Sequence, residues 1–164
     1  MFREMRRKKQ QIPETEVLEI LDRASHGVLA VLGDGGYPYA VPLSYVYTQG
    51  KIFFHCAKSG HKLDAIRGCD RASFCVVDRD EVIPEHFTSL YKSVIAFGRV
   101  REITDEAEML AAVTLLARKY SPDEPQEALD AEIKREWAPL AVLELTIDHI
   151  TGKESRELMM QRDK

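Results

Sequence analysis

The stretch His55-Cys56-Ala57-Lys58-Ser59-Gly60-His61-Lys62-Leu63-Asp64 gathers two imidazoles, two ammonium groups, a thiol and a hydroxyl around one glycine. Leu63 and Ile66 lie three apart, so a short helix follows the glycine, and Ser59 stands where an N-cap belongs. His61 and Lys62 then fall in the first helical turn, where the helix dipole disfavours cations by roughly 0.3–1 kcal/mol. Cations placed against that dipole, beside amides without intrahelical acceptors, make sense when a doubly negative group fills the site. The chemistry is that of a phosphate cradle: Ser59 and the amides close in, His61 offers a ring donor, and Lys58 and Lys62 supply charge. His55, at the end of the preceding apolar run, reads either as a partly buried core residue satisfied by one hydrogen bond or as a ligand-facing group that can pass a proton near neutrality. A metal is not expected. Strand alternation turns Cys56 away from His55, and no second cluster completes a four-ligand set.

The elements that position these residues read as strands and helices of modest length. Pro13, Glu14 and Glu16 open a helix whose apolar face is Val17, Leu21 and Ala24, ending near His26-Gly27. Residues 27–32 form a short apolar strand, and Asp34-Gly35-Gly36 is a hairpin turn. The next strand covers 37–47, with Val41, Leu43, Tyr45 and Tyr47 on one face and Ala40, Pro42 and Ser44 on the other. Pro42 demands an edge or a bulge, because it cannot donate to a ladder. After Gln49-Gly50 comes the buried strand 51–57, then the short helix, a strand at 72–77, a loop holding Pro84 and His86, and a long strand at 89–103 bent at Gly98. Asp105 and Glu108 form a capping box for a helix with the stripe Leu110, Val113, Ala117 and Tyr120, stopped by Ser121-Pro122. A more polar helix spans 126–137, and a half-buried strand beginning at Ala141 closes the fold. Hairpin-linked strands with bulge signals give an antiparallel sheet curled into a small closed or split barrel, with helices added.

At 164 residues, 45% apolar and 30% charged, the chain is one ordinary globular domain. No apolar run spans a bilayer, the basic start lacks the stretch of a secretory signal, and Cys56, Cys69 and Cys75 suit a reducing compartment. A cytoplasmic location is the expectation. A net charge of −4 argues against nucleic acid, so Tyr37, Tyr39, Tyr45, Tyr47 and Tyr91 are read as core or interface residues. Trp137 either covers a ligand or packs at the barrel end, and Asp148-His149 carry no assigned chemistry.

The segments GVLAVLGDGGYPYAVPLSYVY, IFFHCAKSGHKLDAIRGCDRASFCVV, YKSVIAFGRVREITD and ITGKES, in that order, resemble the pyridoxamine 5′-phosphate oxidase-like flavoproteins, and within them the nitroimidazole-resistance branch. The resemblance implies a mainly β fold with α (α+β): an antiparallel, Greek-key split β-barrel of the flavin-reductase kind with flanking helices, working as a homodimer. The single domain then divides into an arm and helix (1–26), barrel strands (27–104) enclosing the phosphate helix (59–68), a helical insert (105–137), a last strand (138–152) and a tail (153–164). The resemblance further implies FMN in clefts between subunits, its phosphate against Lys58, Ser59, His61 and Lys62. The flavin ring would lie along Val41, Pro42, Leu43, Ser44 and Tyr45, with His55 and Ala57 beside it, and the partner would add Tyr91 and Ser93. FAD presents a phosphate to the same turn.

Vitamin oxidation is not expected, since the Trp- and Arg-rich closing stretch of true pyridoxamine phosphate oxidases is missing after Gly152-Lys153. The expected function is reduction of a small organic substrate, such as a nitro compound. A nicotinamide nucleotide would serve as transient donor, no Gly-x-Gly-x-x-Gly fingerprint being present to hold one. The alternative is a non-catalytic flavin or haem sensor on the same barrel.

Overall fold

Apolar residues that alternate along hairpin-linked segments must share one interior, and the chain meets this by curling a single sheet. The computed structural model describes residues 2–162, so Met1 of the arm and residues 163–164 of the tail lie outside it. Helix α1 (Glu14–Arg23) precedes β1 (His26–Leu32), β2 (Pro38–Ser44), β3 (Val46–Thr48) and β4 (Lys51–Ala57). Helix α2 (His61–Gly68) leads to β5 (Arg71–Ile83) and β6 (Thr88–Ile103). Helices α3 (Glu106–Tyr120) and α4 (Gln126–Glu136), strand β7 (Leu140–Glu154) and helix α5 (Arg156–Arg162) complete the order.

The seven strands pair antiparallel in the order β2-β1-β5-β6-β7-β4-β3. The two edges are successive halves of one bent stretch. β2 pairs with β1, β3 pairs with β4, and the bend is Tyr45. The expected continuous strand 37–47 therefore breaks there, because its halves serve opposite edges of the curled sheet. The barrel is split at this point rather than closed. Tyr45 fills the corner: it is fully buried, and its hydroxyl donates to the Leu21 carbonyl at 2.7 Å. Pro42 stands on the edge strand, as a residue without an N–H must. Gly98 marks a register shift between β6 and β7, and a Cβ there would lie 2.0 Å from the Thr146 carbonyl oxygen. The β1–β2 turn uses Gly35 and Gly36 at φ 63 and 79.

The main core joins Leu29, Phe54, Phe74, Val94 and Leu143 with Ile20 and Leu21 of α1, which plugs one end. A second cluster, Val46, Phe53, Ile103, Ala112, Leu116, Leu140 and Val142, lies under α3, with Trp137 packed against it. Covering by α3 and α4 explains a correction. β7 is buried on both faces from Leu140 to Leu145, not half buried, and alternates only beyond. α3 also rolls its stripe: Ala112 and Leu116 face inward while Leu110 is exposed. Asp105 caps α3 by accepting from the Glu108 amide at 2.9 Å, as its sequence implies. The loop expected around Pro84 and His86 is the turn Pro84–His86 of a long β5–β6 hairpin, and the stretch 78–83 before it is strand rather than loop, with an unforeseen bulge between Val77 and Arg79. The expected tail is α5, docked on the N-terminal arm by Arg162, which donates to the carbonyls of Gln11 and Lys9 and pairs with buried Glu154. The outer faces of β1, β5 and β6 expose Val28, Val77, Ile95 and Phe97 side by side. No helix of the described residues is long and apolar enough to cross a membrane.

Candidate functional site

Strand β4 carries His55 and Ala57 to the rim of the barrel, and the chain then turns at Gly60, whose φ of 129 only glycine adopts comfortably. Gly60, not Ser59, is the N-cap of α2, and no side chain caps it. The Gly60 carbonyl accepts from Leu63 and Asp64, so the cap is a backbone turn that leaves the Ser59 hydroxyl unused by the helix. The Lys58 amide donates to the Pro139 carbonyl at 3.1 Å, extending the β4–β7 ladder past its last pair. Lys58 and Ser59 are exposed at this turn. His61 points the other way. Its ring stacks on Tyr39 at 4.2 Å between centroids, and its Nε2 accepts from the Asp34 amide at 3.2 Å, tying α2 to the β1–β2 turn.

Beside this turn lies a cleft of about 770 Å³. One wall is Ser44, His55, Cys56 and Ala57, with Lys62 of α2 also in the lining. The other is helical: Val113, Leu116, Ala117 and Tyr120 of α3, and Glu132, Ile133 and Glu136 of α4. Pro139 and Leu140 finish the lining. Burial pushes the Cys56 thiol up, against the opposing pull of Lys62, so it stays protonated, and its side chain packs against the main core. Tyr120 fastens the helical wall to the barrel corner. Its hydroxyl accepts from the Tyr45 amide at 2.8 Å and lies against the carbonyls of Tyr45 and Ser25. Next to it, Lys119 rests its ammonium 4.0 Å from the Tyr45 ring centroid, and burial pushes that ammonium down.

Ser44, His55, Ala57 and Lys62 are thus brought together from the residues singled out in the sequence. Val41, Leu43 and Tyr45 turn their side chains inward, so only the outward residues Pro42 and Ser44 and the strand backbone are presented on that edge. Tyr91 and Ser93 sit on β6 and line other depressions, Tyr91 with the Lys153 ammonium 5.4 Å from its ring. The helical wall was missed as a site. Its stripe is visible in the sequence, but an apolar stripe reads as core whether it covers a sheet or a ligand.

The profile of the family described as pyridoxamine 5′-phosphate oxidase matches residues 13–154. The chain belongs to this family. Solved structures similar to the chain share its split barrel. A conserved hypothetical protein from Mycobacterium tuberculosis superposes with a TM-score of 0.81 at 16% identity, covering 94% of this chain and 92% of that one. A candidate 5-nitroimidazole antibiotic resistance protein from Bacteroides thetaiotaomicron gives 0.74 at 19% identity, covering 88% and 86%. An FAD-binding protein from Mesorhizobium loti gives 0.59 at 25% identity, covering 88% and 96%. No curated protein matches the chain.

Proposed function

We propose that this family member is a flavin-dependent oxidoreductase that holds FMN in the cleft between β4 and α3, with a small organic molecule, such as a nitro compound, as substrate. The observation that carries the reading is the convergence of Ser44, His55, Ala57 and Lys62 on one largely apolar cleft beside the Lys58–Ser59–Gly60 turn. The donor set fits a flavin phosphate: two lysines, a hydroxyl, and the amides of His61 and Lys62 at the start of α2, which have no intrahelical acceptor. The FAD-binding relative from Mesorhizobium loti supports the same class of cofactor. Bound there, the flavin supplies two-electron redox chemistry that no side chain of the cleft provides.

The protein's own contributions are binding, orientation and proton supply. Lys58 and Lys62 neutralise the phosphate. The apolar face of α3 excludes water, and Tyr120 holds that face against the barrel corner. His55, exposed on the cleft wall, donates the proton that a reduced substrate requires. His61 acts one step back, fixing the start of α2 against the β1–β2 turn. The exposed row Val28, Val77, Ile95 and Phe97 supports a homodimer through that sheet face, from which the partner subunit would offer its β6 near Tyr91 and Ser93. Vitamin oxidation is disfavoured: α5 and Arg162, at the position of the missing Trp- and Arg-rich stretch, are engaged with the N-terminal arm.

The test is to purify the protein, titrate it with FMN and with FAD, and add NADPH and a nitroaromatic anaerobically. Tight FMN uptake, bleaching by the nucleotide and reoxidation by the nitro compound are expected. A protein that takes up flavin but never cycles would overturn the enzymatic part, and one that takes up neither flavin would overturn the whole.

A further inference from the structure

We infer that the substrate admitted by this cleft is a flat, apolar molecule that is neutral or cationic, and that anions, phosphate esters among them, are turned away. The inference rests on the proposed function for the cofactor but concerns the opposite wall of the same cleft. Among the described residues lining it, Lys62 is the one lysine or arginine, and it belongs to the phosphate end. The helical wall supplies Val113, Leu116, Ala117 and Ile133, and its charged groups are the carboxylates of Glu132 and Glu136. These two are four residues apart and so share one face of α4. Arg135 pairs with both, with Nε 3.0 Å from Glu136, and leaves the α4 rim with one net negative charge.

A phosphate held by Lys58 and Lys62 takes up the only positive charge of the lining. An incoming anion then meets the carboxylates of Glu132 and Glu136 with no lysine or arginine of the lining left to pair it, whereas an ammonium or amidinium group is attracted toward them. The apolar stripe of α3 offers no hydrogen bonds, so it selects for a flat hydrocarbon or heteroaromatic surface. The charge pattern also argues against vitamin oxidation. A substrate carrying its own phosphate would need a second basic site, and the helical wall has none.

The experiment compares one ring in three charge states: 4-nitrobenzylamine, 4-nitrobenzyl alcohol and 4-nitrobenzoate. Binding is read as quenching of Trp137, the single tryptophan, which packs against the apolar cluster that contains Leu116 and Leu140 of the cleft lining, with and without FMN. The amine should bind about tenfold more tightly than the benzoate with the alcohol between, and the spread should shrink near 1 M salt, where screening acts within about 3 Å. In the double variant Glu132→Gln/Glu136→Gln the order should flatten, while FMN uptake stays intact. Benzoate binding as tightly as the amine, or an unchanged order in the double variant, would overturn the inference. Failure of the protein to take up FMN, read separately, would instead overturn the cofactor reading and leave the charge order of the empty cleft to be judged on its own.

Discussion

Lys62 and Tyr120 both line the cleft and do different work, so their substitutions separate binding from architecture. Lys62→Ala removes a charge-assisted contact and should weaken FMN by about 1.5–3 kcal/mol in a calorimetric titration, with the thermal midpoint of the cofactor-free protein unchanged. Equal affinity would remove Lys62 from the cradle. Tyr120→Phe leaves the amide of buried Tyr45 without its acceptor, so urea unfolding should show a loss of about 1–3 kcal/mol. An unaltered midpoint would mean that the corner does not depend on this hydroxyl. The cation pair in the first turn of α2 was legible in the sequence because it runs against the helix dipole. The division of labour within it was not. That His61 turns to Tyr39 and Asp34 follows from the curl of the sheet, which brings the β1–β2 turn over α2, and no local spacing encodes that.

Strands β6 and β7 are the spine of the barrel, and two of their residues set its shape and its acid tolerance. Gly98→Ala places a methyl on the Thr146 carbonyl, backbone that cannot step aside, and should cost more than about 3 kcal/mol, seen as insoluble or molten protein. A well-folded Gly98→Ala variant would show that the bend can relax. Glu144, buried on β7, is bonded by Lys51 at 3.0 Å and by Arg101 at 3.0 and 3.1 Å. Burial alone would raise its carboxyl, but these hydrogen bonds prevail and hold it below the usual range. A depressed folded-state pKa means stability that is complete above the unfolded value, about 4.3, and lost as pH falls through the folded one. The unfolding free energy should therefore fall with acid in that window, and Glu144→Gln should flatten the slope; an identical slope would exclude this carboxyl. Gly98 and Pro42 announced bend and edge in the sequence because each has a backbone peculiarity. The break at Tyr45, the long β5–β6 arm and α5 carry no such mark. They arise from which strand each half finds and from Arg162 finding the N-terminal carbonyls.

The molecule as a whole is a split barrel with one apolar outer face and one helix-covered cleft, and the proposed function needs both. Phe97, with the ring of Phe2 from the arm 5.6 Å away, and Ile95 lie on that outer face, so if the proposed homodimer forms through it Phe97→Glu should convert a dimer of twice 18.7 kDa to a monomer in sedimentation and lower FMN affinity with it. A wild-type protein that sediments as a monomer would refute the homodimer. The fold class was readable because hairpin turns, strand alternation and the family resemblance agree. The helical wall was not, since only the assembled molecule separates a stripe that covers strands from one that faces a cleft. The most direct measurement is to incubate the purified protein with FMN, pass it through a gel-filtration column and record the visible spectrum of the protein peak. The account predicts one FMN retained per chain, and far less retained by Lys62→Ala. A colourless wild-type peak, with all the flavin eluting as free FMN, would contradict it.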